Sequence, residues 1–238
     1  MNITPEARTD RARRVGLALA LVTAPWGFVV GNASYAIITL HGGSDLTSRD
    51  ALALAGAHPL AYRLGGLAAL LGSILMVPAV LGAMRLMHAR LSRIGLIGGV
   101  LMIGAYVCYF ALVYQSFITT AMAQQGGSLG NYVAVLDAAA GDPLTVWVTA
   151  LFIIGNIVGT FLLGFALLRA GVVARWAAYA VMSWSLLHVV GIIAGSEWFE
   201  VVGAFLQAAG LTAVGLRLLH RPMEVAASTP QSGEAAAA

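Results

Sequence analysis

The segment SWSLLHVVGIIAGSEWFE, residues 183–200, puts a histidine inside an apolar run and two glutamates just past its end. An imidazole such as His188 exchanges a proton near neutral pH. Glu197 and Glu200 are three residues apart, so on a helix they share a face. Carboxylates at an apolar border keep their protons to higher pH and can act as acids. Glu200, Glu197 and Asp137, which stands on the same side of the chain, are therefore the candidate acids. His188 reads first as a hydrogen-bond partner between helices.

A second group binds without reacting. Asn32, Tyr35, Tyr114, Gln115, Asn156 and Gln207 are bulky polar residues inside apolar runs. At about 1.5 Å of rise per residue they fall at the middle or in one half of their helices, and His188 lies about 10 Å below the surface at Gly195. Polar groups within hydrocarbon must face one another or a wet cavity. Tyr106, Phe110, Tyr114 and Phe117 read as an aromatic stripe beside them. Trp184 stands one turn before His188. The expected ligand-binding set is therefore Asn32, Tyr35, Tyr106, Tyr114, Gln115, Asn156, Trp184, His188 and Gln207. His41, His58, His88 and His220 fall at helix ends or in loops and match no zinc-ligand spacing. A bis-histidine haem would need a second histidine within a membrane helix. No metal and no cofactor is expected.

The elements that hold these groups follow from composition. The 238 residues are 60% hydrophobic and only 10% charged, with mean hydropathy +0.87. Soluble domains carry about 25% charged residues, so a water-soluble globule is excluded. Apolar blocks at roughly 15–40, 62–87, 93–120, 145–169, 172–195 and 199–219 each reach the ~20 residues that cross a bilayer core. Lipid offers no partner for an open backbone amide, so each must be a helix. The expected fold is all-α, a six-transmembrane-helix bundle. Residues 1–14 form a basic arm, 15–221 the membrane domain and 222–238 a disordered tail.

All thirteen basic residues are arginine. Arg8, Arg11, Arg13, Arg14, Arg85, Arg90, Arg93, Arg169, Arg175, Arg217 and Arg221 share one side of the six-helix arrangement, and only Arg49 and Arg63 lie on the other. The positive-inside rule then puts both termini in the cytoplasm of a cell membrane. Topology accounts for the net charge of +3, and no nucleic-acid partner is expected. The apolar run from residue 15 continues to Leu40, too long for a cleaved signal peptide. Cys108, the single cysteine, forms no intrachain disulfide.

Two longer connections, near 41–61 and 121–144, are expected on the outer side. Each suggests a short surface helix, over 49–56 with Ser48 as its cap and over 131–139. Asp142 before Pro143 reads as the cap of the fourth span. Pro25 and Pro78 suggest kinks. GFVVG, GLIGG, GNIVG and GIIAG each place two glycines on one helix face, as in a tight bundle or a homodimer.

AHPLAYRLGGLAALLGSILMVPAVLGAMRL, RIGLIGGVLMIG and LLRAGVVARWAAYAV together resemble a broad group of small six-helix membrane proteins of high-GC Gram-positive bacteria, for which no activity is assigned. That resemblance covers most of residues 57–195, implies the same helical fold and carries no catalytic residue across. In size and helix number the chain is also similar to small membrane-bound terpene cyclases, but it lacks their early Trp-Glu pair. The leading expectation is an outward-opening cavity that holds a lipophilic molecule or a partner helix within the lipid bilayer. The alternatives are an intramembrane lipid or terpene cyclase and a small transporter or exporter.

Overall fold

A computed structural model describes residues 5–40, 43–88 and 92–220. Among them are eight α-helices: α1 (Pro5–Thr39), α2 (Ser48–Ala57), α3 (Pro59–Leu86), α4 (Arg93–Gln124), α5 (Leu129–Gly141), α6 (Pro143–Ala170), α7 (Arg175–Ala194) and α8 (Trp198–Leu219). Six of these are long and apolar enough to cross a membrane. His41, Arg90, Arg221 and the expected tail at 222–238 lie outside the described residues. The basic arm is not a separate element. From Pro5 onward it is the first part of α1, which continues through Pro25, as α3 does through Pro78.

The long helices pack most closely as α1 with α3, α4 with α6, and α8 with both α1 and α7. Glycine makes this approach possible, because a seam without side chains brings backbones into contact. A Cβ added at Gly159 would lie 2.7 Å from the Met102 amide nitrogen, and one added at Gly72 would lie 2.9 Å from the Ala24 carbonyl. The paired glycines of GFVVG meet Ala68, Gly65 and Ala69 on α3. All of these contacts lie within one chain.

The core follows from the same pairing. Leu21, Met76, Met102, Leu163, Leu167 and Leu211 are fully buried where the helices meet. Leu71, Ile97, Val107, Ile154 and Ile193 point outward and are exposed. An apolar outer surface of this kind suits hydrocarbon and not water, which gives the chain its multi-pass membrane character.

The two ends of the bundle differ in charge. Gly215 of α8 packs against the Ala18 carbonyl of α1, and Gly164 of α6 against Met182 of α7. These contacts gather the starts of α1, α4 and α7 with the ends of α3, α6 and α8, and with them Arg14, Arg85, Arg93, Arg169, Arg175 and Arg217. Arg85 pairs there with Asp10 at 3.1 Å. The opposite end carries α2, α5, Asp45, Asp137, Asp142, Glu197 and Glu200. Among the described residues of that end only Arg49 and Arg63 are basic.

Both short helices form at the acidic end, with one correction. Thr47, not Ser48, caps α2 by accepting the Asp50 amide. Ser48 instead donates to Asp137 Oδ1 at 2.5 Å, tying α2 to α5. Asp142 caps α6 as expected, accepting from the Leu144 and Thr145 amides at 2.9 and 3.3 Å.

Candidate functional site

The α7–α8 hairpin builds the centre of the site. Helix α7 stops at Gly195, whose φ of +61° is the left-handed conformation that glycine adopts without a Cβ penalty. Three residues later α8 begins and runs back antiparallel. This geometry brings Glu200 down beside His188, with Oε1 3.0 Å from Nδ1. Both side chains are largely buried, at 20% and 15% exposure. The nitrogen has no aligned hydrogen-bond partner, so the two side chains approach each other off the line of a hydrogen bond. Gly191 leaves the space for it. A Cβ there would lie 3.4 Å from Glu200 Cγ and 3.3 Å from the Ser196 carbonyl.

Glu200 borders three adjoining cavities. The outermost, about 630 Å³, lies between the end of α1 and the hairpin turn and is edged by Tyr35, Asp45 and Glu197. The next, about 350 Å³, runs inward between α1, α3 and α4 past Asn32, Tyr35, Tyr62, Tyr109 and Ser116. The innermost is a chamber of about 170 Å³ lined by Phe28, Asn32, Tyr106, Tyr109, Phe152, Asn156, Trp184, His188 and Glu200. The outer two share Tyr35, Asp45 and Glu197 and the inner two share Asn32 and Tyr109, so the three lie in a row, a path of adjoining cavities from the acidic end into the bundle.

Aromatic rings pave the chamber. Phe28 and Tyr106 have centroids 4.8 Å apart, Tyr109 stacks on Phe152 at 4.5 Å, and Trp184 stacks on His188 at 5.2 Å. Tyr106 is buried and faces the Gln207 side chain of α8. Ser185 donates to the Ile157 carbonyl at 2.7 Å, fixing α7 against α6 beneath the chamber. Besides His188 Nδ1, three buried polar atoms on α7 and α8, Trp184 Nε1, Gln207 Nε2 and Thr212 Oγ1, have no hydrogen-bond partner.

Glu197 sits in the turn, outside the membrane-spanning segments. Its pKa is raised, first by burial, then by the Glu200 and Asp45 carboxylates, with His188 offsetting part of the effect. Tyr35 completes this rim, its hydroxyl meeting the Asp45 carboxylate.

Comparison with known proteins finds no matching family model, no matching curated protein and no matching solved structure. The site must be read from its own geometry.

Most of the expected residues come together. Asn32, Tyr35, Tyr106, Asn156, Trp184, His188, Glu197 and Glu200 line the path, and Gln207 backs it. Tyr114 does not join them: it is 57% exposed on the outside of α4. Eight residues along a helix, it has turned about 80° from Tyr106. Gln115 is half-buried and lies off the path, its carbonyl accepting from Thr119. Asp137 is exposed, bonded to Ser48, and lines none of the three cavities. His188, read alone as a link between helices, proves to be the direct partner of Glu200.

Residues that the sequence did not single out also line the path: Asp45, Tyr62, Tyr109, Phe28 and Phe152. A signal for Tyr109 was present, since 106, 109, 113 and 116 keep the spacing of one helical face. Asp45 lies in a loop and carries no such signal. Among the described residues, no three His, Cys, Asp or Glu side chains stand close enough to hold a metal ion.

Proposed function

We propose that the chain is a multi-pass membrane protein whose arginine-rich end faces the cytoplasm and whose cavities open to the opposite side, where they bind a lipophilic small molecule. The observation that carries this reading is the position of Glu200, which borders all three cavities at the acidic end. The carboxylates and Tyr35 along that path lie at the end away from the arginines, while Tyr106, Asn156 and Trp184 stand near the middle of their helices. A chamber of about 170 Å³ suits a small molecule and not a partner helix, whose diameter is about 10 Å.

Native mass spectrometry of the gently purified protein tests this. A defined lipophilic compound that co-purifies, and is lost on replacing Asn32 or Asn156 with a larger side chain, is the expected result. Bulk phospholipid alone, unchanged by those substitutions, would remove the support for a ligand cavity.

One observation favours a second reading, acid-initiated cyclisation of a lipid. The Glu197 carboxyl holds its proton above the ordinary range, and the rings beyond it could stabilise a carbocation. Conversion of an isoprenoid substrate, abolished by Glu197→Gln in a folded protein, would select this reading over binding alone.

A further inference from the structure

One side chain in the chamber is left with a bond to make. Asn156 sits near the middle of α6, is 2% exposed and lines the innermost cavity. Its Oδ1 accepts from Thr160 Oγ1, one turn further on, at 3.4 Å. Its Nδ2 donates to no group among the described residues and, unlike Trp184 Nε1 and Gln207 Nε2, keeps accessible surface. In a residue so deeply buried, that surface opens on the cavity the residue lines. A buried donor left unmatched is costly, and an acceptor on a ligand removes the cost.

The surroundings narrow what that acceptor is. Glu200 lines the chamber, and Asp45 and Glu197 stand further out along the path. His188 is the one imidazole facing them, and no arginine lines any of the three cavities. An ionised oxygen, as in a carboxylate or a phosphate, would meet like charge all the way in. A hydroxyl would need an acceptor as well as a donor, and Asn156 Oδ1 is already engaged by Thr160. A carbonyl needs a donor only. A cavity of about 150 Å³ holds benzene, so the chamber of about 170 Å³ has room for one ring. We infer that the ligand's buried end is a compact, un-ionised carbonyl group, such as a cyclic ketone, whose oxygen accepts from Asn156 Nδ2. This rests on the reading of the path as a ligand cavity and adds the polar group that the chamber selects.

Three probes of one ring size test it, by saturation-transfer NMR in a neutral detergent with protein-free micelles as the blank. Cyclohexanone carries the carbonyl, methylenecyclohexane replaces its oxygen by a methylene group, and cyclohexanecarboxylate carries an ionised oxygen. The expected result is saturable binding of the ketone, no binding of the carboxylate, and a hydrocarbon about three- to tenfold weaker than the ketone, the size of one net hydrogen bond. Asn156→Leu should remove the ketone's advantage and leave the hydrocarbon unchanged. A second measurement needs no variant: the infrared carbonyl stretch of bound cyclohexanone, labelled at its carbonyl carbon, should fall below its value in the micelle. Equal binding of ketone and hydrocarbon, an unshifted carbonyl stretch, a ketone affinity untouched by Asn156→Leu in a folded protein, or binding of the carboxylate would overturn the inference while leaving the cavity standing. If no probe binds, a co-purified compound without a carbonyl overturns the inference alone. If no probe binds and no small molecule co-purifies, both the inference and the cavity reading fall.

Discussion

His188 and Glu200 stand six residues to either side of Ala194 and meet across the α7–α8 hairpin at 3.0 Å. The contact lies off the line of a hydrogen bond, so its weight is the coupling between the two side chains. Glu200→Leu and His188→Leu should each destabilise, with a coupling of about 0.5–3 kcal/mol between them. Replacing both residues by leucine should cost less than the sum of the two single changes. Chemical denaturation of the four proteins in mild detergent measures this coupling. Strict additivity would mean that the two side chains are neighbours without an interaction.

The seam between α4 and α6 depends on Gly159, where a Cβ would press on the Met102 amide and the Gly98 carbonyl. Backbone atoms cannot turn aside as a flexible side chain can. Gly159→Val should destabilise by about 1–3 kcal/mol, the usual range for overpacking, and should enlarge the spacing of the helices that wall the chamber. A variant with the melting temperature of the native protein would contradict so close an approach.

The raised Glu197 pKa has a defined sign in pH dependence. The folded state holds this proton more tightly than the unfolded state, whose carboxyl titrates near 4.5. Stability from this group is thus greatest at low pH. It falls as pH rises from 4.5 toward the higher folded value, then stays at the lower level. Glu197→Gln should flatten that decline. Melting temperature followed across pH for both proteins gives the answer, and identical slopes would count against a perturbed Glu197.

Asp142 accepts two amides at the start of α6. Asp142→Ala should lose about 1 kcal/mol while Asp142→Asn should lose far less, since asparagine caps nearly as well. Equal losses for the two would point to charge and not to the cap.

Orientation is accessible to labelling. In a Cys108→Ser background, a cysteine at Leu46, which is 93% exposed at the acidic end, should react with an impermeant maleimide in intact cells. A cysteine at Thr9 should react only after permeabilisation, as the arginine distribution requires. The reverse pattern would turn the cavities toward the cytoplasm.

The long helices were legible because length and apolarity are properties of the chain alone. Even α2 and α5 announced themselves, through polar flanks and turn residues near Thr47 and Ser128. The site was legible only where a helix carried its own phase. Counting in steps of four placed Tyr114 with Tyr106, although that step drifts about 40° each time. The pairing of His188 with Glu200 was within reach, because a turn near Gly195 makes 188 and 200 opposite one another. Asp45 was not: nothing local dictates where a loop folds back, and its place beside Tyr35 depends on packing across the whole acidic end.

The glycine contacts run the length of the bundle. Near the arginines Gly215 of α8 meets the Ala18 carbonyl of α1, and toward the acidic end Gly31 of α1 meets the Gly65 carbonyl of α3 while Gly66 of α3 meets Phe117 of α4. Where a glycine meets backbone there is no rotamer to exchange, so those seams have no slack. Any widening that admits a guest must come from the side chains and loops that wall the cavities, with the seams between helices held as fixed rails.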